Sequence, residues 1–391
     1  MSQELQSGLL LLGVGGGGCR LAASVLAAYG GGMRALGVDT DALSNRQASA
    51  GGMTCLLLGG ARLAGHGTGG DAIQGRLVAQ DDIQNLAPHL QGVRTVVITA
   101  SLGAGTGGGA TPEIIKSLHD MGIATLCFAT LPFAFEGDAR RKAAERVLPM
   151  IEENADSMVV VSLDDLFADA GALPIEEALR KADGVMAAGI ALVWRLVSKP
   201  GFIQLDPERL HAMVMKGGNA RFGCASASGE NRASQVIAGL RASKLLRCGD
   251  SLGKANALLL GILAGSDLRL AEIGEIMGKV HSLCKSECNI QMGTVLDPQF
   301  EGRVELVALT FESWAAAAAV EARKEAQSVT EPPVADDFPI QSGTRRSRGK
   351  GSKLSFGATG RGKFQNVDPT IVNGQDLDIP TFVRRGIQLE R

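Results

Sequence analysis

From Leu9 to about Phe311, short runs of nearly unbroken apolar residues alternate with longer stretches of helical spacing. That alternation predicts βαβ units around a largely parallel sheet. The runs Leu9–Gly13, Ala35–Val38, Thr95–Thr99, Ala124–Thr130 and Ser157–Ser162 predict strands covered on both faces. Between Pro174 and Lys199, apolar residues such as Ala178, Ala182, Met186, Ile190 and Val193 recur close to helical spacing, and Lys199-Pro200-Gly201 stops them, which predicts one long helix. Beyond it, Ala257–Ala264 and Arg303–Phe311 read as strands and Leu270–Lys285 as a helix, a second α+β layer.

The pattern fails after Trp314. An Ala-rich helical stretch, Ala315–Gln327, runs into Pro332-Pro333, and from about Ser328 to Asn373 there is too little apolar material to offset ordering entropy, so disorder is expected. A flexible tether of about 45 residues has an r.m.s. span of roughly 35–40 Å. Apolar residues return between Asp376 and Arg385, and a short sticky segment on a long tether predicts a docking peptide. In a helical turn Ile379, Phe382 and Val383 share one face, with Pro380 among them and Arg384 and Arg385 flanking.

Composition narrows the class. A chain of 391 residues, 45% hydrophobic and 20% charged, has room for about two to three globular domains. No apolar run reaches the roughly 18 residues of a membrane span, and Met1 to Ser7 lacks a basic leader, so a cytoplasmic location is expected. Seven scattered cysteines read as reduced thiols. The net charge of −2 conceals an asymmetry: Thr344 to Arg391 carries 10 basic and 4 acidic residues, +6 against −8 for the rest. The basic run Arg345 to Lys363 holds few aromatics, which argues against nucleic acid as a partner and leaves an anionic membrane as its candidate contact.

The chemistry lies in clustered glycines, part of a total of 52. Gly13-Val14-Gly15-Gly16-Gly17-Gly18 follows an apolar strand and precedes the helical run Leu21–Ala28, a turn that lets amides approach a phosphate. Asp39, about 20 residues on, sits where a dinucleotide fold keeps its ribose-binding acid, so an NAD-dependent oxidoreductase is one reading. A second run, Gly103-Ala104-Gly105-Thr106-Gly107-Gly108-Gly109, follows the strand Thr95–Thr99 and leads into a helix over Glu113–Asp120. Two cradles suit a mononucleotide with a longer phosphate chain. A third stretch, Gly65 to Asp71, reads either as a lid over a terminal phosphate or as a plain surface loop.

The second run resembles the tubulin/FtsZ signature G-G-G-T-G-[ST]-G. Pro132-Phe133-Ala134-Phe135-Glu136-Gly137 is similar to the P-F-x-F-E-G of bacterial FtsZ, Ala225 to Glu230 to its G-x-A-x-G-E, and Leu377 to Arg385 to its C-terminal peptide. The resemblance implies an α/β fold: a Rossmann-like GTPase domain with a parallel sheet over residues 1–173, a long central helix over 174–200, a second α+β domain over 201–315, a flexible basic linker over 316–375 and a docking peptide over 376–391. It implies GTP or GDP, with Mg2+ carried by the nucleotide, and a head-to-tail homopolymer at the mid-cell division site. Membrane-anchored division proteins would bind the C-terminal peptide. Carried over, Gly15, Gly16, Gly17, Gly18 and Gly103 to Gly109 hold phosphates with Thr106 donating a hydroxyl; Gly69 and Gly70 approach the γ-phosphate; Glu136 and Arg140 contact ribose and phosphate; Asp183 reads guanine.

Departures accompany the match. Ala104 and Gly108 replace a Gly and a Thr or Ser, Cys19 and Arg20 replace Gly and Asn, Asp39 replaces an Asn, Leu163 another Asn, and Leu179 an aromatic that stacks on the base. In the hydrolytic loop N-x-D-x-x-D aligns with Gln204-Leu205-Asp206-Pro207-Glu208-Arg209, so Asp206 is kept and the second acid becomes Arg209. An always-protonated guanidinium cannot act as a base. Glu208 as substitute, Arg209 as a finger on phosphate charge, and impaired hydrolysis in a structural filament or regulator all stay open. His281, Cys284 and Cys288 fall near helical spacing, and buried thiols beside a helix histidine are expected there instead of a metal site.

Overall fold

The computed structural model describes residues 8–30, 32–167, 173–199 and 201–312, together with two short strands near the end of the chain. Contacts divide the chain into Met1–Thr330 and Glu331–Arg391. In the second unit the described residues are Ile371–Val372 and Gln375–Asp376, an antiparallel pair with Ile371 opposite Asp376. Ala315–Gln327, the basic linker and the docking residues Ile379, Pro380, Phe382, Val383, Arg384 and Arg385 lie outside the described residues.

The first unit is built on ten strands: β1 (Leu9–Val14), β2 (Ala35–Asp39), β3 (Thr54–Leu57), β4 (Thr95–Ser101), β5 (Ala124–Leu131), β6 (Ser157–Ser162), β7 (Gly218–Ser228), β8 (Ala257–Ala264), β9 (Asn289–Leu296) and β10 (Arg303–Phe311). They form one sheet in the order 3-2-1-4-5-6-7-10-8-9. β1 to β6 are parallel, and β7 joins β6 in parallel over three pairs, Ser157–Gly218, Met158–Asn219 and Val159–Ala220. β10 then runs antiparallel between β7 and β8, and β9 closes the edge beside β8.

Among the described residues twelve α-helices connect and cover the strands: α1 (Gly15–Tyr29), α2 (Ala42–Ala50), α3 (Gly60–Leu63), α4 (Ala72–Asp82), α5 (Gly105–Asp120), α6 (Asp138–Glu152), α7 (Leu163–Leu166), α8 (Ile175–Ser198), α9 (Pro207–Val214), α10 (Arg232–Ala242), α11 (Asp250–Lys254) and α12 (Leu270–Leu283). β6, β8 and β10 keep the expected bounds, and α8 the long helix. α1 and α5 begin earlier than expected, inside the glycine runs, because the adjacent sheet leaves no room for a side chain there and helical hydrogen bonding needs none. α12 ends at Leu283, with Cys284 as its cap and Cys288 in the turn beyond, so His281, Cys284 and Cys288 do not share a helix. Among the described residues no three His, Cys, Asp or Glu side chains gather into a metal-binding group. Among them, too, no helix is long and apolar enough to cross a membrane.

Alternation along β1 shows how the core is made. Leu9 and Leu11 join a cluster with α1, α8, Phe128 and Phe222, whereas Leu10, Leu12 and Val14 join one with α4, α5 and α6 on the opposite face. A third cluster lies between β8, β10, α10 and α12. Arg195 on α8 is 2% exposed, its guanidinium between the Tyr29 ring at 4.6 Å and the Phe300 ring at 5.1 Å. These cation–π contacts tie the end of α1 to the turn before β10.

Candidate functional site: two helix ends at a sheet crossover

β1 and β4 are neighbours whose onward connections leave in opposite directions, to β2 on one side and β5 on the other. Such a point opens a crevice beyond the carboxyl ends of the strands. α1 and α5 both start there. Val14 and Ala104, their cap residues, offer no side-chain hydrogen bond, and neither first turn contains an acid. α4, next door, differs: the Asp71 carboxylate accepts from the amides of Ile73 at 2.8 Å and Gln74 at 3.4 Å. Two uncapped, positively polarised helix ends therefore share the crevice, an arrangement made for an anion.

The glycines fall into two groups. Gly15, at φ +70°, has a left-handed backbone, and a methyl group on it would stand 2.7 Å from the Gly107 nitrogen, so the two runs touch. Gly17, Gly18, Gly103, Gly105, Gly107 and Gly109 also have no room for a methyl: the obstacles include the Ser101 side chain, the Thr99 and Ser101 carbonyls, Arg140 O at 2.7 Å, Asp71 N at 2.9 Å and Arg76 N at 2.6 Å. These six hold helices against strands and against α4. Gly16, Gly69, Gly70 and Gly108 face more open space; nothing lies within 4 Å of a methyl on Gly69 or Gly70. The third stretch packs Thr68 and Gly70 on Gly105, placing Gly69 and Gly70 beside the start of α5. Ala104 has an ordinary extended backbone, φ −107°, that requires no glycine. The Thr106 hydroxyl is 2.7 Å from that of Thr40, and the pair keeps one proton to donate onward.

Beside this crevice an open pocket is lined by Gly17, Arg20, Ser101, Phe133, Leu163, Phe167, Asp183 and Met186 among others. Asp183 is thus brought together with the first glycine run. Glu136 accepts from the Phe133 amide at 3.0 Å and is ion-paired with Arg140, so both hold the wall in place. The Phe133 ring meets Phe167 edge-on, centroids 5.0 Å apart. Phe133 and Phe167 were not singled out from sequence as lining residues; the aromatic pair of P-F-x-F was the available signal. Arg20 also lines a second opening, with Gly16, Ser44 and Gln47, between α1 and α2. Cys19 points away from both, toward the Val38 carbonyl, and burial together with the Asp39 charge raises its thiol far above the ordinary range.

The loop before α9 is elsewhere. Ile203 donates to Thr294 Oγ1 at 2.8 Å, and the Asp206 carboxylate caps α9 by accepting from the Glu208 amide at 2.9 Å. Glu208 is ion-paired with Arg94, and Thr95 Oγ1 lies 3.1 Å from His211 Nδ1. Arg209 is exposed and has no ion pair among the described residues. Asp206, Glu208 and Arg209 thus sit at the start of β4, whereas the cradles sit at its end, about 20 Å away at strand rise. One chain does not bring them together.

Comparison with known proteins agrees with this geometry. Residues 9–171 match the GTPase domain of the tubulin/FtsZ family, and residues 218–311 the C-terminal domain of the FtsZ family. Cell division protein FtsZ 2 of Rhizobium meliloti (strain 1021) is 32% identical over 79% of this chain and 90% of its own length. Cell division protein FtsZ 1 of the same organism is 31% identical over 80% of this chain, and the match spans 53% of that relative. A solved structure of an empty FtsZ dimer from M. jannaschii superposes with a TM-score of 0.72 at 27% identity, covering 78% of this chain and 87% of that one. With a second phosphate cradle in place of the single one an oxidoreductase needs, and with both halves of the sheet matched, the chain belongs to the FtsZ family of tubulin-like GTPases.

Proposed function

We propose that this chain binds GTP or GDP at the β1/β4 crevice and assembles head to tail, the Asp206 loop of one copy completing the nucleotide site of the next. The carrying observation is the separation along β4: the loop is held at the strand's start by the Arg94–Glu208 pair and the Thr95–His211 contact, out of reach of its own cradles. Contacts of this kind do not close on themselves, and they generate filaments.

In this reading the first-turn amides of α1 and α5, those of Gly16 and Gly17 among them, and the spare proton of the Thr40–Thr106 pair hold the phosphates. Asp183 accepts from the two adjacent donors on guanine. Mg2+ bound with the nucleotide would neutralise phosphate charge. Asp206 orients the attacking water in the neighbouring copy. Glu208 is engaged by Arg94, and Arg209 stands where a second carboxylate would polarise that water, so turnover is slow. A filament that binds nucleotide without hydrolysing it is the second reading, favoured by the same Arg209.

GTP hydrolysis followed against protein concentration alongside light scattering separates the two, with Arg209→Asp beside the parent. Turnover that rises with concentration supports interface hydrolysis. Scattering without turnover, with hydrolysis gained in Arg209→Asp, supports the structural filament; turnover independent of concentration overturns the head-to-tail arrangement. We further propose that Asp376 to Arg391 docks on membrane-anchored division proteins, with the basic linker near anionic lipid, and that the protein works in the cytoplasm at mid-cell. Deleting the segment should abolish recruitment and leave nucleotide binding unchanged; unchanged localisation would refute it.

A further inference from the structure

Asp39 closes β2 with 3% of its surface exposed. Its Oδ1 accepts from the Thr40 amide at 2.7 Å. Its Oδ2 has no hydrogen-bond partner among the described residues and is turned toward the first glycine run: a methyl group on Gly16 would stand 3.4 Å from it. Gly16 belongs to the uncapped first turn of α1, the end that attracts an anion. A carboxylate facing that turn opposes the phosphate charge that a bound nucleotide would bring there.

A cation between the two removes the conflict. The residue that follows Asp39 and the first turn of α5 carry further hard oxygens. Thr40 is fully buried, and its hydroxyl lies 2.7 Å from that of Thr106; Thr106 in turn lies against Gly15, its Cβ 3.4 Å from where a methyl on Gly15 would be. One carboxylate, hydroxyls and phosphate oxygens make a set that suits Mg2+, which takes one or two carboxylates and completes its shell with phosphate and water. Asp39 stands where the FtsZ pattern has an Asn, whose neutral amide has no such conflict with phosphate.

We propose that Asp39 Oδ2 ligates the Mg2+ that accompanies bound nucleotide, so that this chain holds nucleotide firmly only when the cation is present. This rests on the nucleotide reading above. Asp39 thereby makes occupancy of the crevice conditional on divalent cation.

The test measures GDP affinity by calorimetry in excess Mg2+ and in EDTA, for the parent and for Asp39→Asn, which keeps an oxygen to accept from the Thr40 amide. The parent is expected to lose about tenfold or more in affinity on removing Mg2+, and Asp39→Asn to bind GDP more tightly than the parent in EDTA while gaining little from Mg2+. Electron paramagnetic resonance of Mn2+ titrated into the GDP complex gives an independent reading: Mn2+ should bind about tenfold more weakly to Asp39→Asn. GDP binding with the same Mg2+ gain in both proteins, or unchanged Mn2+ affinity, overturns the assignment and leaves the nucleotide site standing. No GDP binding in either protein under either condition overturns the nucleotide site and the assignment together.

Discussion

The hydroxyl of Thr95 and the Nδ1 of His211 lie 3.1 Å apart, and that contact pins α9 beneath the first residue of β4. Asp206, at the cap of α9, therefore has a fixed position, and its capping role is separable from the role in hydrolysis proposed for it. Asn is as good a cap as Asp, so Asp206→Asn should leave thermal stability nearly unchanged while lowering concentration-dependent GTP hydrolysis tenfold or more, an effect of about 1.4 kcal/mol on the barrier. Asp206→Ala should add a stability loss of about 1 kcal/mol, read as a lower melting temperature. Equal hydrolysis by Asp206→Asn and the parent would remove the carboxylate from the reaction.

Burial, then the Arg94 charge, lowers the pKa of His211 below its usual 6.5. The unfolded chain then binds more protons than the folded one across the interval between the two values. The contribution is fully present above about pH 6.5 and is lost as pH falls through the lower folded value. Asp267 and Glu272, held below 3.8 and 4.5 chiefly by hydrogen bonds from Arg232, add a second loss only in stronger acid. Urea midpoints should therefore fall in two steps on acidification, with His211→Asn flattening the first and leaving the second.

Neighbouring glycines on α5 should respond in opposite ways. A methyl on Gly109 meets the backbone of α4, 2.6 Å from the Arg76 nitrogen, so Gly109→Ala should cost about 3 kcal/mol or prevent folding. At Gly108 the nearest atom is 3.7 Å away, and Gly108→Ser should fold with stability within about 0.5 kcal/mol of the parent. It also puts a hydroxyl in the cradle, so GDP affinity should rise. Denaturant midpoints and calorimetry read both effects.

Thr40 and Thr106 satisfy each other while buried, so removing one strands the other. Thr40→Val and Thr106→Val should each destabilise by about 1–3 kcal/mol, and the double variant by less than their sum. Additive losses in urea denaturation would mean that the two hydroxyls are not coupled. Both single variants should weaken GDP binding, because the proton left over from the pair is gone.

Much of the sheet was legible because burial on both faces leaves unbroken apolar runs, as in Ser157–Ser162 and Ala257–Ala264. β7 was not: Gly218-Asn219-Ala220-Arg221-Phe222-Gly223 alternates small, polar and aromatic residues, and only its pairing with β6 and β10 makes it a strand. β3 and β9 are edge strands of mixed exposure and carried no pattern of their own. At the site the two glycine runs were legible as starts of helices after β1 and β4, and the structure places Asp183 beside the first of them. The division between packing glycines and facing glycines was not, because it depends on what lies opposite each Cα in space. Nor was the engagement of Glu208 by Arg94, which links residues 114 apart.

Only three residue pairs join β6 to β7, yet those pairs make two sheets into one. If copies assemble head to tail as proposed, tension on a subunit passes across that seam from its parallel half to its antiparallel half. With so few rungs in the ladder, bending and rupture should start there, between Ser157 and Val159, long before the seven-pair ladder of β4 and β5 is disturbed. The long helix α8, packed on α1 and on β7, β9 and β10, is then what braces the two halves against each other.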